Sequence, residues 1–295
     1  MLERKRTAIH GIATRPIRAA DVTFSARLNA SENWMDTLWD IRRLMRCEPQ
    51  GFMMAELQGR PVGQILSIAY GKLGWIGFLI VLREHRGKGI GSALVREAIA
   101  YLKESNVETI YLDANPLAVD LYQRLGFEHE FKTWKFARVN EHIRITDLTP
   151  VEAMSGGALR EVCDFDKRFF LGDRSRVLGE ILVDNRDFSY VIRDRRELKG
   201  FVMCRPTRTG FRVGPLVCDP STTKIAETLL AIAMNAMPVG TKVSLSAPDS
   251  NPAHLDLLSR YGFERGSHSL RMCLGKKQNL EPAMGIMALA GLEKG

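Results

Sequence analysis

Residues 86–92 read Arg86-Gly87-Lys88-Gly89-Ile90-Gly91-Ser92. Three glycines within five positions strip Cβ atoms from a loop and let its backbone N–H groups approach a ligand closely. A helical pattern opens at Ile90, and a helix start adds partial positive charge. Arg86 and Lys88 add full charges. The combination predicts a pyrophosphate site. A plain tight turn at a helix start is the structural alternative. A Walker loop needs Gly-x-x-x-x-Gly-Lys-[Ser/Thr], which is absent. A dinucleotide loop has its glycines directly after the strand, spaced Gly-x-Gly-x-x-Gly. Here Arg83-Glu84-His85-Arg86 intervenes and the spacing is Gly-x-Gly-x-Gly.

Strands and helices alternate around this loop. Helical spacing is read over 21–30 and over 33–45, the latter on Trp34, Leu38, Ile41 and Leu44. Strands are read over 52–57, 62–70 and 75–82, with a short one beginning at 16–18. A helix over 90–104, a strand over 108–113, a short helix over 117–125 and a strand over 127–138 complete the first half. A similar order follows residue 140: a strand over 143–145, helices over 151–163 and 174–182, and strands over 188–192, 200–205 and 211–217. A helix over 221–234, a strand over 242–246 and a helix over 252–259 end it.

An internal repeat joins the two halves. The segment from Asp113 to Glu128 matches the segment from Asp249 to Glu264 at nine of sixteen positions without a gap. Tandem copies of one fold explain this. The same offset places Val81 on Val217. The second half has Asp219-Pro220-Ser221 where the first has its glycine loop, and Leu258 where the first has Tyr122. The expected organisation is a loose arm (1–11), two domains (12–140 and 141–280) and a tail (281–295).

Composition narrows the class. The 295 residues are 45% hydrophobic and 26% charged, with net charge +8, as in ordinary globular chains. The apolar runs at 75–82 and 284–292 fall short of the roughly 20 residues a bilayer needs. Residues 1–18 are basic without an apolar centre, so no signal peptide is read and a cytoplasmic setting is expected. The basic charges are dispersed, which argues against a nucleic-acid partner. Five scattered cysteines form no Cys-x-x-Cys pair and the histidines show no ligand spacing, so no metal is expected.

Arg86-Gly87-Lys88-Gly89-Ile90-Gly91 resembles the Arg/Gln-x-x-Gly-x-Gly/Ala signature of the GNAT N-acetyltransferases. The run Asn115, Ala118, Tyr122, Leu125-Gly126-Phe127 resembles that family's second motif. The likeness covers residues 12 to about 138 and weakens toward about 275. It implies an α/β (α+β) architecture of two tandem GNAT-like domains, each a mixed, mostly antiparallel sheet flanked by helices, with a degenerate second copy. The segment from Phe170 to Arg174 and the ending from Ala288 to Gly295 also resemble such tandem proteins.

The resemblance implies acetyl-CoA as donor and an amine as acceptor. Leu79, Ile80 and Val81 would form the edge along which pantetheine lies. Arg86, Gly87, Lys88, Gly89, Ile90, Gly91 and Ser92 would hold the pyrophosphate, and Asn115 would touch the coenzyme beyond the next strand. Tyr122 would be the general acid, a packed helix aromatic being its other reading. A phenol of pKa about 10 protonates a thiolate whose thiol has pKa about 8.5 only against a gradient, so placement must help. The first-half strand over 75–82 lacks the family's usual Glu. Asp113 is therefore read as either the base or a structural group. Trp34 either lines the acceptor pocket or belongs to core. Asp173 and Arg174 either reach the acceptor or form a capping turn. The expected reaction is direct acetyl transfer to a small-molecule amine. Protein lysine acetylation and an acyl-CoA sensor without turnover stand as alternatives, and the oligomeric state is left open.

Overall fold

The computed structural model describes residues 11–144, 149–221, 223–279 and 282–295. The first half runs β1 (Ile12–Pro16), α1 (Val22–Ser31), α2 (Leu38–Cys47), β2 (Phe52–Leu57), β3 (Arg60–Tyr70), β4 (Leu73–Val81), α3 (Ile90–Glu104), β5 (Thr109–Ala114), α4 (Val119–Gln123) and β6 (Glu128–Val139). The second repeats this order: β7 (Val151–Ala153), α5 (Leu159–Phe170), α6 (Ser175–Asp184), β8 (Ser189–Asp194), β9 (Glu197–Thr207), β10 (Gly210–Cys218), α7 (Thr223–Asn235), β11 (Lys242–Pro248), α8 (Pro252–Arg260) and β12 (Glu264–Gly275). A last strand, β13 (Ile286–Ala288), follows.

Several boundaries differ from the sequence reading for identifiable reasons. α2 starts at Leu38 rather than 33 because Thr37 and Asp40 form a reciprocal cap. The Thr37 hydroxyl accepts from the Asp40 amide, and the Asp40 carboxylate accepts from the Thr37 amide at 2.8 Å. Residues 33–37 are thereby left as a loop. The helix expected over 151–163 is instead strand β7 on the edge of β8, and helix α5 begins only after Gly156-Gly157, where two helix-weakening residues stand together. No strand forms at Ile143, whose amide donates to the Asn235 side chain; residue 145 lies outside the described residues, as does most of the expected arm. β12 and β13 were not read from the sequence.

All the strands join one sheet, in the order β1-β2-β3-β4-β5-β12-β6-β11-β10-β9-β8-β7, with β13 beside β10. Two pairs are parallel, β4 with β5 and β10 with β11; the rest are antiparallel. The halves trade their last strands. β5 of the first half pairs with β12 (Leu270 on Ala114 through Gly275 on Thr109), and β11 of the second pairs with β6. β6 and β12 then pair with each other at the sheet centre. The two strands are equal in length and follow the repeated Gly-Phe-Glu, so each fits the other's place. One apolar cluster crosses the halves, bringing Tyr70, Trp75 and Phe78 together with Phe170, Phe201 and Val217.

Candidate active site

β4 and β5 run side by side only from Leu73 on Thr109 to Ile76 on Leu112. Beyond that, β4 pairs with β3 alone and β5 with β12 alone. At the parting Phe78 has φ of +51° and the β3–β4 register slips. Such a bulge bends and twists a strand, which turns β4 away from β5. The Phe78 ring is held by Trp34 at 5.5 Å and Phe52 at 5.9 Å. Leu79 lines the opening; Ile80 and Val81 stay paired to Gln64 and Gly63 on their other edge. Sequence reasoning missed Phe78, because a bulge at a non-glycine residue leaves no compositional mark.

The glycine loop follows. Gly87 and Gly89 have φ of +74° and +80°, and a Cβ on either would meet open space. Among the described residues, no backbone N–H from 87 to 92 donates to a protein acceptor. Six idle donors around a helix start form an anion cradle. Lys88 is exposed, its ammonium on the Glu84 carbonyl. Arg86 is more committed than expected: its guanidinium donates to the Val81 carbonyl at 2.9 Å and to Glu32 at 2.6 Å. The cradle therefore rests on backbone rather than on Arg86.

On the β5 side, Tyr122 is buried, stands edge-on to Phe127 at 5.8 Å and lines the cavity. No protein group hydrogen-bonds its hydroxyl among the described residues, and burial pushes its pKa well above the ordinary value. Asn115 sits at the rim, its side chain accepting from the Leu117 amide at 3.0 Å. Asn251 does the same for Ala253 in the second half, so the shared Asn-Pro is first a helix cap. Asp113, expected as either base or structural group, lines the cavity with its carboxylate held by protein partners. One carboxylate oxygen accepts from Thr133 at 2.8 Å, and both face the Arg271 fork at 3.0–3.1 Å. It braces β5 to the traded strand.

The cavity past the parting has a volume of about 710 Å³ and draws walls from both halves. Trp34, Met35 and Asp36 of the 33–37 loop roof it, and the loop is bridged to the β9–β10 hairpin by the Arg208 amide on the Met35 carbonyl at 3.1 Å. Trp39 points away, 62% exposed. The C-terminal segment enters alongside: a Cβ at Gly77 would overlap the Glu293 backbone, and the Trp75 indole donates to the Leu292 carbonyl at 2.9 Å. Buried Asp36 and Glu293 thus face the cavity next to the bulge. Burial, reinforced by Glu293 and opposed by Arg212, pushes the Asp36 carboxyl up to about 6. For Glu293 burial also works upward, but Lys294, Arg212 and Arg205 bring it below the ordinary value. Neither acid was picked out from the sequence; one was assigned to a helix and the other to a tail.

Asp173 and Arg174 do not line the cavity. Asp173 accepts from the Ser175 amide at 3.0 Å, the capping alternative, and pairs with Lys167. Arg174 is fully buried, bidentate to Asp166 at 2.7 Å, and donates to the Gly295 carbonyl at 2.8 Å. The two short motifs thus meet, one clamping the other. Arg174→Ala strands the Asp166 charge and is expected to cost about 3–5 kcal/mol, read as a lower denaturant midpoint; wild-type stability would refute the clamp.

Among the described residues, the second half has neither the glycine loop nor the tyrosine, and its own opening is occupied. β13 lies against β10, Ala288 on Leu216 and Ile286 on Val217, and the Leu289 amide donates to Ser246 of β11. By the repeat offset, Leu216 and Val217 correspond to Ile80 and Val81, so the chain's own strand fills the second opening. Leu258 replaces Tyr122 and is fully buried.

This pairing of a parted parallel strand pair with a glycine-lined helix start is a GNAT arrangement. The profile of the Acetyltransferase (GNAT) family matches residues 19–127, and that of an Acetyltransferase (GNAT) domain matches 162–285. The chain belongs to the GNAT acetyltransferase family, whose members transfer acyl groups from acyl-CoA. It is 27% identical over 267 residues to holothin acyltransferase of Pseudoalteromonas sp. (strain SANK 73390), covering 90% of this chain and 88% of that one. A putative acetyltransferase from Pyrococcus horikoshii superposes with TM-score 0.83 at 22% identity, over 100% of this chain and 99% of that one. A tandem GNAT protein from the clavulanic acid biosynthesis pathway gives TM-score 0.62 at 12% identity, over 91% and 99%. These two show the shared fold. No helix among the described residues is long and apolar enough to cross a membrane.

Proposed function

We propose that the protein moves an acetyl group from acetyl-CoA to a primary amine of a small molecule, by direct attack. One observation carries this: β4 and β5 part into an opening lined by Leu79 and Tyr122, and six idle N–H groups stand in the loop that follows β4, whereas the second half fills its own opening with β13. Residues 86–92 take the pyrophosphate, Leu79, Ile80 and Val81 offer their free edge to the pantetheine arm, and Asn115 flanks it. Backbone N–H at the bulge polarises the acyl carbonyl. The acceptor ammonium gives a proton to Asp36, and the freed lone pair forms the C–N bond. The C–S bond breaks and the departing sulfur takes the Tyr122 proton. The new amide nitrogen sheds the proton that restores Tyr122, and Asp36 returns its own to water. Trp34 walls the acceptor.

The bridged roof favours a small acceptor over a lysine on a folded protein. The holothin acyltransferase of Pseudoalteromonas aligns along both halves and supports acyl transfer on the same frame. All five cysteines are free and buried, which suits a cytoplasmic setting. The test is thiol release from acetyl-CoA with a panel of amines. Amine-dependent release is expected; coenzyme binding with no release for any amine would overturn the reading. Because Asp36 must be unprotonated to act, turnover is expected to fall as pH drops through about 6. Asp36→Asn should remove that acid limb and lower turnover about 10²-fold; an unchanged pH–rate profile would exclude Asp36 as base.

A further inference from the structure

We infer that the acceptor carries a carboxylate beside its amine and that Arg212, a residue of the second half, recognises it. This rests on the acyl-transfer reading for its location. Arg212 lies on β10 and faces the cavity with its side chain only 20% exposed. Its fork holds five N–H donors, yet among the described residues none donates to a protein acceptor. The nearest carboxylates, Asp36 at 3.7 Å and Glu293 at 4.0 Å, stand beyond hydrogen-bond length. Its neighbour in register, Arg205, is by contrast satisfied by the Gly214 and Ala290 carbonyls at 3.0 and 2.5 Å. Arg174 is likewise fully bound. Leaving the donors of a mostly buried guanidinium without hydrogen-bond acceptors is costly even with two carboxylates nearby, and a planar carboxylate fills such a fork with two parallel bonds.

The charges around the cavity are ordered. The acids Asp36 and Glu293 lie against the bulged strand, where an amine must attack. Arg212 stands next to them on the β10 side, 3.7 Å from Asp36 and 4.0 Å from Glu293, and Lys135 of β6 lines the same cavity with no acceptor for its ammonium among the described residues. Between these four groups a zwitterion is favoured in one sense, amine toward β4 and carboxylate toward β10. The 3.7 Å between Asp36 and Arg212 admits only a short spacing between the two groups, as in α- or β-amino acids. Lys135 adds positive potential without the fork, so Arg212 carries the recognition.

The experiment titrates the full chain, saturated with free CoA so that no transfer occurs, with α- and β-amino acids, each paired with the amine left by removing its carboxylate. Calorimetry should show at least one amino acid binding about ten- to a hundredfold more tightly than its amine. In Arg212→Gln that preference should shrink to within about twofold, with CoA affinity unchanged. The proposal is overturned if no amino acid outbinds its amine in the wild-type chain, a comparison needing no variant, or if the preference survives in Arg212→Gln. Thiol release from acetyl-CoA is scored separately. An Arg212-dependent preference without release sinks the transfer reading and leaves the carboxylate site standing; release without the preference does the reverse.

Discussion

Tyr122→Phe is expected to cut turnover by about 10²–10⁴ while donor affinity stays nearly intact. The phenyl ring keeps the edge-on contact with Phe127 at 5.8 Å, so α4 and the opening beside it keep their shape. What is lost is the hydroxyl proton, which no protein acceptor competes for among the described residues. Burial holds that proton firmly, so it moves only when a thiolate forms within reach. The variant should therefore bind CoA normally in calorimetry and fail in steady-state turnover. Full activity would remove Tyr122 from the chemistry and leave it as packing. The loss should appear in kcat, since the interaction is made only as the C–S bond breaks.

Gly89→Glu is expected to abolish coenzyme binding. The residue sits at φ +80° directly before α3, a conformation that costs other residues roughly 1 kcal/mol or more. The new side chain would start in open space above the idle N–H groups and set a carboxylate where a diphosphate belongs. Gly89→Ala separates the two effects, because it brings the strain without the charge and should weaken binding only modestly. Unchanged affinity of Gly89→Glu by calorimetry would refute the cradle. The stability loss should be limited to that backbone strain of roughly 1 kcal/mol, since nothing lies within 4 Å of the added Cβ.

Features set by neighbours in sequence were legible. α3 has the bounds its periodicity implies, the glycine loop stands where its composition put it, and the repeat from Asp113 to Glu128 appears as the same turn, helix and strand in both halves. Chemistry set by distant partners was not. Asp113 looked available because Arg271, its partner, lies on a traded strand 158 residues away. Asp36 was hidden because the Thr37–Asp40 cap shifts a helix start, and a cap competes poorly with an apolar periodicity that runs through it. Arg212 and Glu293 meet only because two halves and a tail fold over one cavity. Of Asp173 and Arg174, expected either to reach the acceptor or to form a capping turn, Asp173 caps the turn before α6 and Arg174 forms the clamp.

The traded strands also bear on how the chain is made. A ribosome finishes β5 long before β12, which comes some 150 residues later in the sequence. Until then the flank of the opening between β4 and β5 is a bare strand edge, the kind of surface that recruits wrong partners. β6, just completed and carrying the same Gly-Phe-Glu lead-in, is the closest decoy. The β5 edge beside the opening is thus completed from the second half, after β12 has emerged.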